Sequence, residues 1–286
     1  MSQFILWRLK IAAKIVLSRI PAPYRSWSSV GLFRHGKMAE PDYALKVFFL
    51  HFDRFPSQSR QAGKVFLEMG PGDSIASALC GASVGASKAY LVDIGHFATH
   101  DMQFYTRLSD VLKLRGLSPP EISIDMKFEE MLRACNAEYL TNGLPSLREI
   151  PDNSVDYAWS HSMMEHVRKC DFNDTVREHY RIMKHGGCIS HSIDLQDHLG
   201  GRLNNLRFSE GVWESNFMAE SGFYTNRLRA SDIIEAFENA GFYIKECGRG
   251  QWPEIPTPRR LMNEAFRDCA EDDLLTRTLS VLIEKP

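Results

Sequence analysis

Apolar positions along this chain come as short continuous runs, separated by longer stretches with helical spacing. Val65-Phe66-Leu67, Ala89-Tyr90-Leu91-Val92, Glu138 to Thr141, Val155 to Trp159 and Cys188 to His191 are each too short for a helix and suit strands buried on both faces. Helical patterns over Thr99 to Lys113, Phe128 to Cys135 and Asp174 to Met183 separate them, with His185-Gly186-Gly187 read as the stop of the last. This alternation predicts an α/β fold, a parallel sheet covered by helices. Ser231 to Asn239 reads as a further helix, a short helix is expected near Leu261 to Arg267, and Phe242 to Lys245 and Thr278 to Ile283 read as two more strands.

Two regions break the rhythm. Residues 1–60 read as an N-terminal helical extension, with one helix over Phe4 to Ile20, stopped by Pro21-Ala22-Pro23, and a second over Pro41 to Phe52. Residues 61–286 form the main domain. Within it, 199–230 is rich in Asn, Gly, Phe and Trp and reads as a lid or substrate insertion.

No run approaches the roughly 20 apolar residues that cross a bilayer, and the Phe4 to Ile20 segment is interrupted by Arg8, Lys10, Lys14 and Arg19 with no cleavage site after it. It reads either as a helix packed on the body or as an interfacial helix on anionic lipid with Trp7 at headgroup depth. A cytoplasmic protein is expected, peripheral at the inner face of the membrane under the second reading. Thirty-four Lys and Arg against thirty-six Asp and Glu leave a net charge of -2, which points away from nucleic acid and towards a small-molecule or glycan substrate. Six scattered cysteines form no close pair and suggest reduced thiols.

The chemistry concentrates after the first strand. The turn Glu68-Met69-Gly70-Pro71-Gly72-Asp73-Ser74 lies between a strand and a helix, and the next strand ends at Asp93. Glycine lets the main chain take positive φ and approach a ligand closely, and the following helix points free N–H groups into the same cleft. A carboxylate at the second strand end can accept the hydroxyls of a ribose. A dinucleotide fingerprint would need a third glycine where Ile75 stands, and a phosphate loop would need a Gly-Lys-Ser/Thr ending that is absent.

Phe66 to Gly72, Asp93, the run Ile150 to Asp156, Met164-Glu165-His166-Val167 and the late Gly186-Gly187 together resemble the class I S-adenosylmethionine-dependent methyltransferases, in particular the broad type 11 group. The resemblance covers roughly Gly63 to Ser192 and implies a Rossmann-like, seven-stranded, mostly parallel sheet with S-adenosyl-L-methionine as cofactor. It implies that Gly70 and Gly72 pass beneath the methionine part while Glu68 helps hold its amino group. Asp93 would take the ribose, Ile94 and Asn142 the adenine, and Ser160 and His161 would stand near the sulfonium. Ser74 departs from the pattern, because many members carry another glycine there.

If the acceptor is an alcohol, a base must take its proton, and histidine suits that near neutrality. His161 is the first expectation, with His191 and Asp194 next, either as base and orienting acid or as substrate contacts. His161 and Glu165, four apart, would share a helical face. Asn, Arg and aromatic residues from Leu203 to Arg229, among them Trp213, Phe223, Tyr224 and Arg229, suit a flat polar acceptor. Some methyltransferases with a Glu-x-x-Glu-His arrangement hold a cation, but Ser162 replaces the first carboxylate here and no metal is expected. The working reading is O-methylation of a saccharide, lipid-linked glycan or other hydroxylated metabolite in polysaccharide biosynthesis. The alternatives are N-methylation of a small metabolite, or a non-catalytic cofactor-binding structural or regulatory protein.

Overall fold

A computed structural model describes residues 37–56 and 60–286. The helix expected over Phe4 to Ile20, with its two readings, lies outside the described residues. No helix of the described residues is long and apolar enough to cross a membrane.

Seven strands form one sheet in the order β3-β2-β1-β4-β5-β7-β6. They are β1 (Val65–Met69), β2 (Lys88–Val92), β3 (Ala137–Leu140), β4 (Val155–His161), β5 (Met183–Asp194), β6 (Tyr243–Gln251) and β7 (Thr276–Glu284). β1 to β5 run parallel, whereas β7 lies antiparallel between β5 and β6. The order reverses between β1 and β4, and ligands of open α/β sheets bind at the carboxyl ends of strands at such a switch point.

Each face of the sheet has its own apolar layer. Helices α1 (Pro41–Phe52), α2 (Ala76–Ser83), α3 (Met102–Leu114) and α4 (Phe128–Ala134) cover one face, with Phe48, Phe55, Leu79 and Leu108 packed on Tyr157 and Trp159. Helices α5 (Leu144–Glu149), α6 (Lys169–Ile182) and α9 (Ala230–Asn239) cover the other, with Leu147, Phe172, Val176, Ile233 and Phe237 packed on Ala158 and Ile189. In α6 the buried positions Phe172, Thr175, Val176, His179 and Ile182 recur at helical spacing. Each fully buried Phe or Leu contributes about 1.5–3 kcal/mol.

The N-terminal helix α1 belongs to this core. Ala44, Leu45, Val47, Phe48 and His51 are its buried stripe, and Phe48 meets Trp159 edge-on at 5.6 Å. Two expectations are corrected here. Gly186-Gly187 does not end a helix; it lies in a bulge inside β5, where pairing jumps from Val155↔Met183 to Tyr157↔Cys188 and Gly186 takes φ +75°. His161 and Glu165 share no helical face, because β4 runs through His161, Ser162 takes φ +50°, and only a short 3-10 turn, Met164–His166, follows.

The insertion at 199–230 packs on itself. It holds α7 (Glu210–Trp213) and α8 (Asn216–Ala219) around a small cluster of Leu199, Trp213, Met218, Phe223 and Tyr224. Trp213 donates its Nε1–H to Thr225 O at 2.7 Å. Arg229 is fully buried and donates to Leu195 O, Asp273 O and Thr276 O. The aromatic and arginine side chains expected to receive a flat acceptor are therefore consumed in packing. The remaining helices, α10 (Glu264–Arg267) and α11 (Glu271–Leu275), lie between β6 and β7.

Candidate active site

The glycine turn leaves β1 at Met69 and enters α2. Gly70 and Gly72 take φ +73° and +66°, a region that favours glycine because a Cβ there meets the following carbonyl. A Cβ on Gly70 would also stand 2.3 Å from Met163 Cγ, so the turn and the segment after β4 lie in close apposition. Gly70 N–H donates to Val92 O at 2.8 Å, which pins the turn to the end of β2.

Asp93 follows β2 and its carboxylate organises the cleft. Its Oδ2 accepts the Gly72 amide at 3.1 Å and its Oδ1 accepts the Ile94 amide at 2.8 Å. An ionised carboxylate offers about four lone-pair sites, so acceptor capacity remains for a ribose. Gly143 N–H donates to Asp93 O at 2.8 Å, which brings the exposed Asn142 beyond β3 beside the same turn. Ile94 is exposed and its Cγ2 would stand 3.0 Å from a Cβ on Gly143. Gly70, Gly72, Asp93, Ile94 and Asn142 thus stand together at the carboxyl ends of β1, β2 and β3. The side chain of Glu68 does not. It is buried on the α1 face, beside Ser77 and Trp159. Burial pushes its carboxyl up to about 7, against smaller lowering contributions from Ser77 and Trp159.

Strand alternation divides the next candidates. Successive residues of β4 face opposite sides, so Ser160 and His161 part company. Ser160 Oγ and His191 Nδ1 are 2.8 Å apart and both are fully buried. The His191 ring stacks on Phe237 of α9, with centroids 5.2 Å apart. Burial holds His191 well below the ordinary histidine range. A substrate cannot touch His191 or the Ser160 hydroxyl there, which corrects both expectations. His161 faces α1 instead and is only half-buried, with burial lowering its pKa. It is a neutral imidazole at pH 7, suited to accept a proton.

His51 of α1 approaches His161. Its Nε2 lies 3.2 Å from His161 Nδ1, and its Nδ1 lies 2.8 Å from Ser190 Oγ. Arg54 Nη1 donates to Ser190 Oγ at 3.0 Å and to Ser280 Oγ at 2.9 Å. Sequence reading passed over both residues. The only available signal was a polar side chain on the buried stripe of α1.

A second group gathers beyond β4 and β5. Among the described residues, Glu165, His166 and His198 bring possible ligand atoms within 4.8 Å of one another, so two imidazoles and a carboxylate could hold a divalent cation. The chain folds so that His198 stands with Glu165 and His166, where the sequence pattern offers only Ser162 as the third position. Glu165 is buried with both carboxylate oxygens lacking a hydrogen bond. Burial raises its pKa well above the usual range and the nearby Asp194 adds to this, whereas the backbone amides of Glu165 and Asp194 act oppositely. Asp194 is half-buried and accepts from Gln196 N and Nε2 through Oδ1, so it orients no histidine.

Residues 67–190 match the family model described as a methyltransferase domain. No curated protein matches. Solved structures with similar chains include an S-adenosylmethionine-dependent methyltransferase from Mesorhizobium loti, 15% identical over 79% of this chain and 94% of that one with a TM-score of 0.44. They also include geranyl diphosphate C-methyltransferase from Streptomyces coelicolor, 13% identical over 85% of this chain and 79% of that one with a TM-score of 0.47. Phosphoethanolamine N-methyltransferase 2 from Haemonchus contortus is 14% identical over 84% of this chain and 52% of that one, with a TM-score of 0.47. The strand order, the glycine turn bound to Asp93 and the family match converge: the chain carries a class I S-adenosylmethionine-dependent methyltransferase domain and is an enzyme of that type.

Proposed function

We propose that this enzyme methylates a small polar acceptor at an amine nitrogen, with His161 taking the proton that the nitrogen must lose. The observation that carries this reading is the acidic pair beyond β4 and β5: Glu165 is buried with neither carboxylate oxygen hydrogen-bonded, and Asp194 stands close by. The unsatisfied buried acceptors of Glu165 call for a donor-rich, cationic partner, which would also counter the burial that favours the protonated acid, because an unpaired buried acceptor costs about 1–3 kcal/mol. An ammonium supplies both charge and protons.

S-adenosylmethionine supplies the electrophilic methyl when bound. Gly70, Gly72 and Asp93 hold and orient it, and the protein aligns the acceptor and excludes water. A neutral His161 accepts the acceptor's proton at its exposed side.

A hydroxyl acceptor is the second reading. The neutral His161 favours it, since a saccharide or other alcohol needs a base more than an amine does. The deciding experiment supplies purified enzyme with isotopically methyl-labelled cofactor and parallel sets of small amines and hydroxylated compounds. Labelled N-methyl product, with Glu165→Gln raising KM for the amine, supports the first reading. Label found only in methyl ethers sinks it in favour of the second, and no cofactor turnover with either set sinks both.

A further inference from the structure

Helix α1 and the turn after it lie outside the residues that match the methyltransferase family model, yet they place two polar side chains, His51 and Arg54, against the sheet. His51 is 1% exposed, on the same stripe as Ala44 and Phe48. An apolar residue would fill that position more cheaply, because burying an imidazole costs free energy unless its nitrogens are satisfied. Both are satisfied: Nδ1 by Ser190 Oγ at 2.8 Å, Nε2 by His161 Nδ1 at 3.2 Å. The two rings cross at 81° with centroids 5.4 Å apart.

Arg54, three residues on, fixes the far end. It donates to Ser190 Oγ, Ser280 Oγ and Val281 O and pairs with Glu246 at 3.2 Å. Burial, His161 and the Arg54 cation together keep His51 neutral, at about 3. With both rings neutral, one proton lies between the facing nitrogens. If His51 Nδ1–H donates to Ser190, His51 Nε2 must accept from His161 Nδ1–H, and His161 Nε2 is left with a lone pair for an acceptor's proton. If the Ser190 hydroxyl donates to His51 Nδ1, the order reverses and His161 Nε2 carries a proton. The tautomer of His161 is thus tied to a hydroxyl 29 residues away on the neighbouring strand.

We infer that His51 is a positioning residue for methyl transfer, holding the His161 ring and, through the proton shared with it and the Ser190 contact, setting which His161 nitrogen is free to act as base. This rests on the proposed role of His161. It assigns to the N-terminal helix a part in the reaction that the family-matching residues do not contain.

The test combines long-range nitrogen–proton NMR of the His161 imidazole with steady-state kinetics on full-length protein. Wild-type protein should show one dominant His161 tautomer. His51→Leu should redistribute it and lower kcat on the order of 10- to 100-fold, with KM for the acceptor nearly unchanged. His51→Gln, which keeps a hydrogen-bonding group at similar reach, should restore the tautomer and most of kcat. If His51→Leu fails to fold, Ser190→Ala gives the same tautomer readout without touching α1. An unchanged His161 tautomer in Ser190→Ala and in folded His51→Leu overturns the inference whatever the activity. Wild-type kcat in His161→Ala would instead overturn the reading on which it rests.

Discussion

The Asp93 carboxylate is tied to the backbone of Gly72, its Oδ2 accepting that amide at 3.1 Å while Oδ1 accepts the Ile94 amide at 2.8 Å. One side chain therefore sets the spacing between the turn after β1 and the turn after β2, between which we propose that the cofactor's ribose is held. Hydrogen bonds to a charged group contribute about 1.5–3 kcal/mol, which corresponds to roughly 10- to 100-fold in affinity. Asp93→Ala should weaken S-adenosylhomocysteine binding by that factor in calorimetry. An unchanged dissociation constant would remove Asp93 from the cofactor site.

Gly70 is constrained twice, by φ +73° and by Met163 Cγ standing 2.3 Å from where a Cβ would be. Gly70→Ala should lower stability by about 1–3 kcal/mol, read as a drop in Tm, and should weaken cofactor binding as well. Adding Met163→Ala relieves the clash but not the backbone strain, so the double variant should recover only part of the loss. Full recovery would show that the φ requirement is unimportant.

His179 of α6 is buried with neither ring nitrogen hydrogen-bonded, and burial lowers its pKa to about 4. The folded state keeps it neutral while the unfolded chain protonates it near 6.5. Between these values the unfolded state binds the extra proton, so stability is lost as pH falls from about 6.5 through about 4. His179→Leu removes this contribution. Denaturant titrations at pH 7 and pH 4.5 should show a smaller difference in unfolding free energy for the variant than for the wild type, and an equal difference would refute the assignment.

Arg229 is wholly buried and spends its guanidinium on the carbonyls of Leu195, Asp273 and Thr276. Burial pulls its pKa down to about 10, with Asp273 opposing. Lysine cannot reproduce that planar fork. Arg229→Lys should cost about 3 kcal/mol or more, visible as a lower Tm, while KM for the acceptor in the folded fraction stays near the wild-type value. A raised KM with an unchanged Tm would return Arg229 to the substrate site.

Much of the architecture was legible in the chain. The apolar runs at β1, β2 and β4 lie within their strands because a strand buried on both faces favours consecutive apolar residues. The glycine turn and Asp93 were equally readable, since both act close to their own backbone. Sequence boundaries failed at Gly186-Gly187, where the pair serves a bulge in β5 and not a helix stop. Helices α5 and α11 went unread, being only six and five residues long.

Local chemistry, then, was decided by the sequence alone: a strand, a turn that only glycine fits and an acid at the next strand end need no distant partner to take shape. Which side of the sheet a residue faces, and what it meets there, was decided only by tertiary structure. Ser160 and His161 are neighbours in sequence, yet one lies against His191 under α9 and the other beside His51 under α1. Strand alternation sends them to opposite faces, and the His51–His161 contact closes across 110 residues, a distance over which no local pattern carries information. The proposed acceptor side of the site is built from such contacts, so its chemistry emerges only when the sheet is folded.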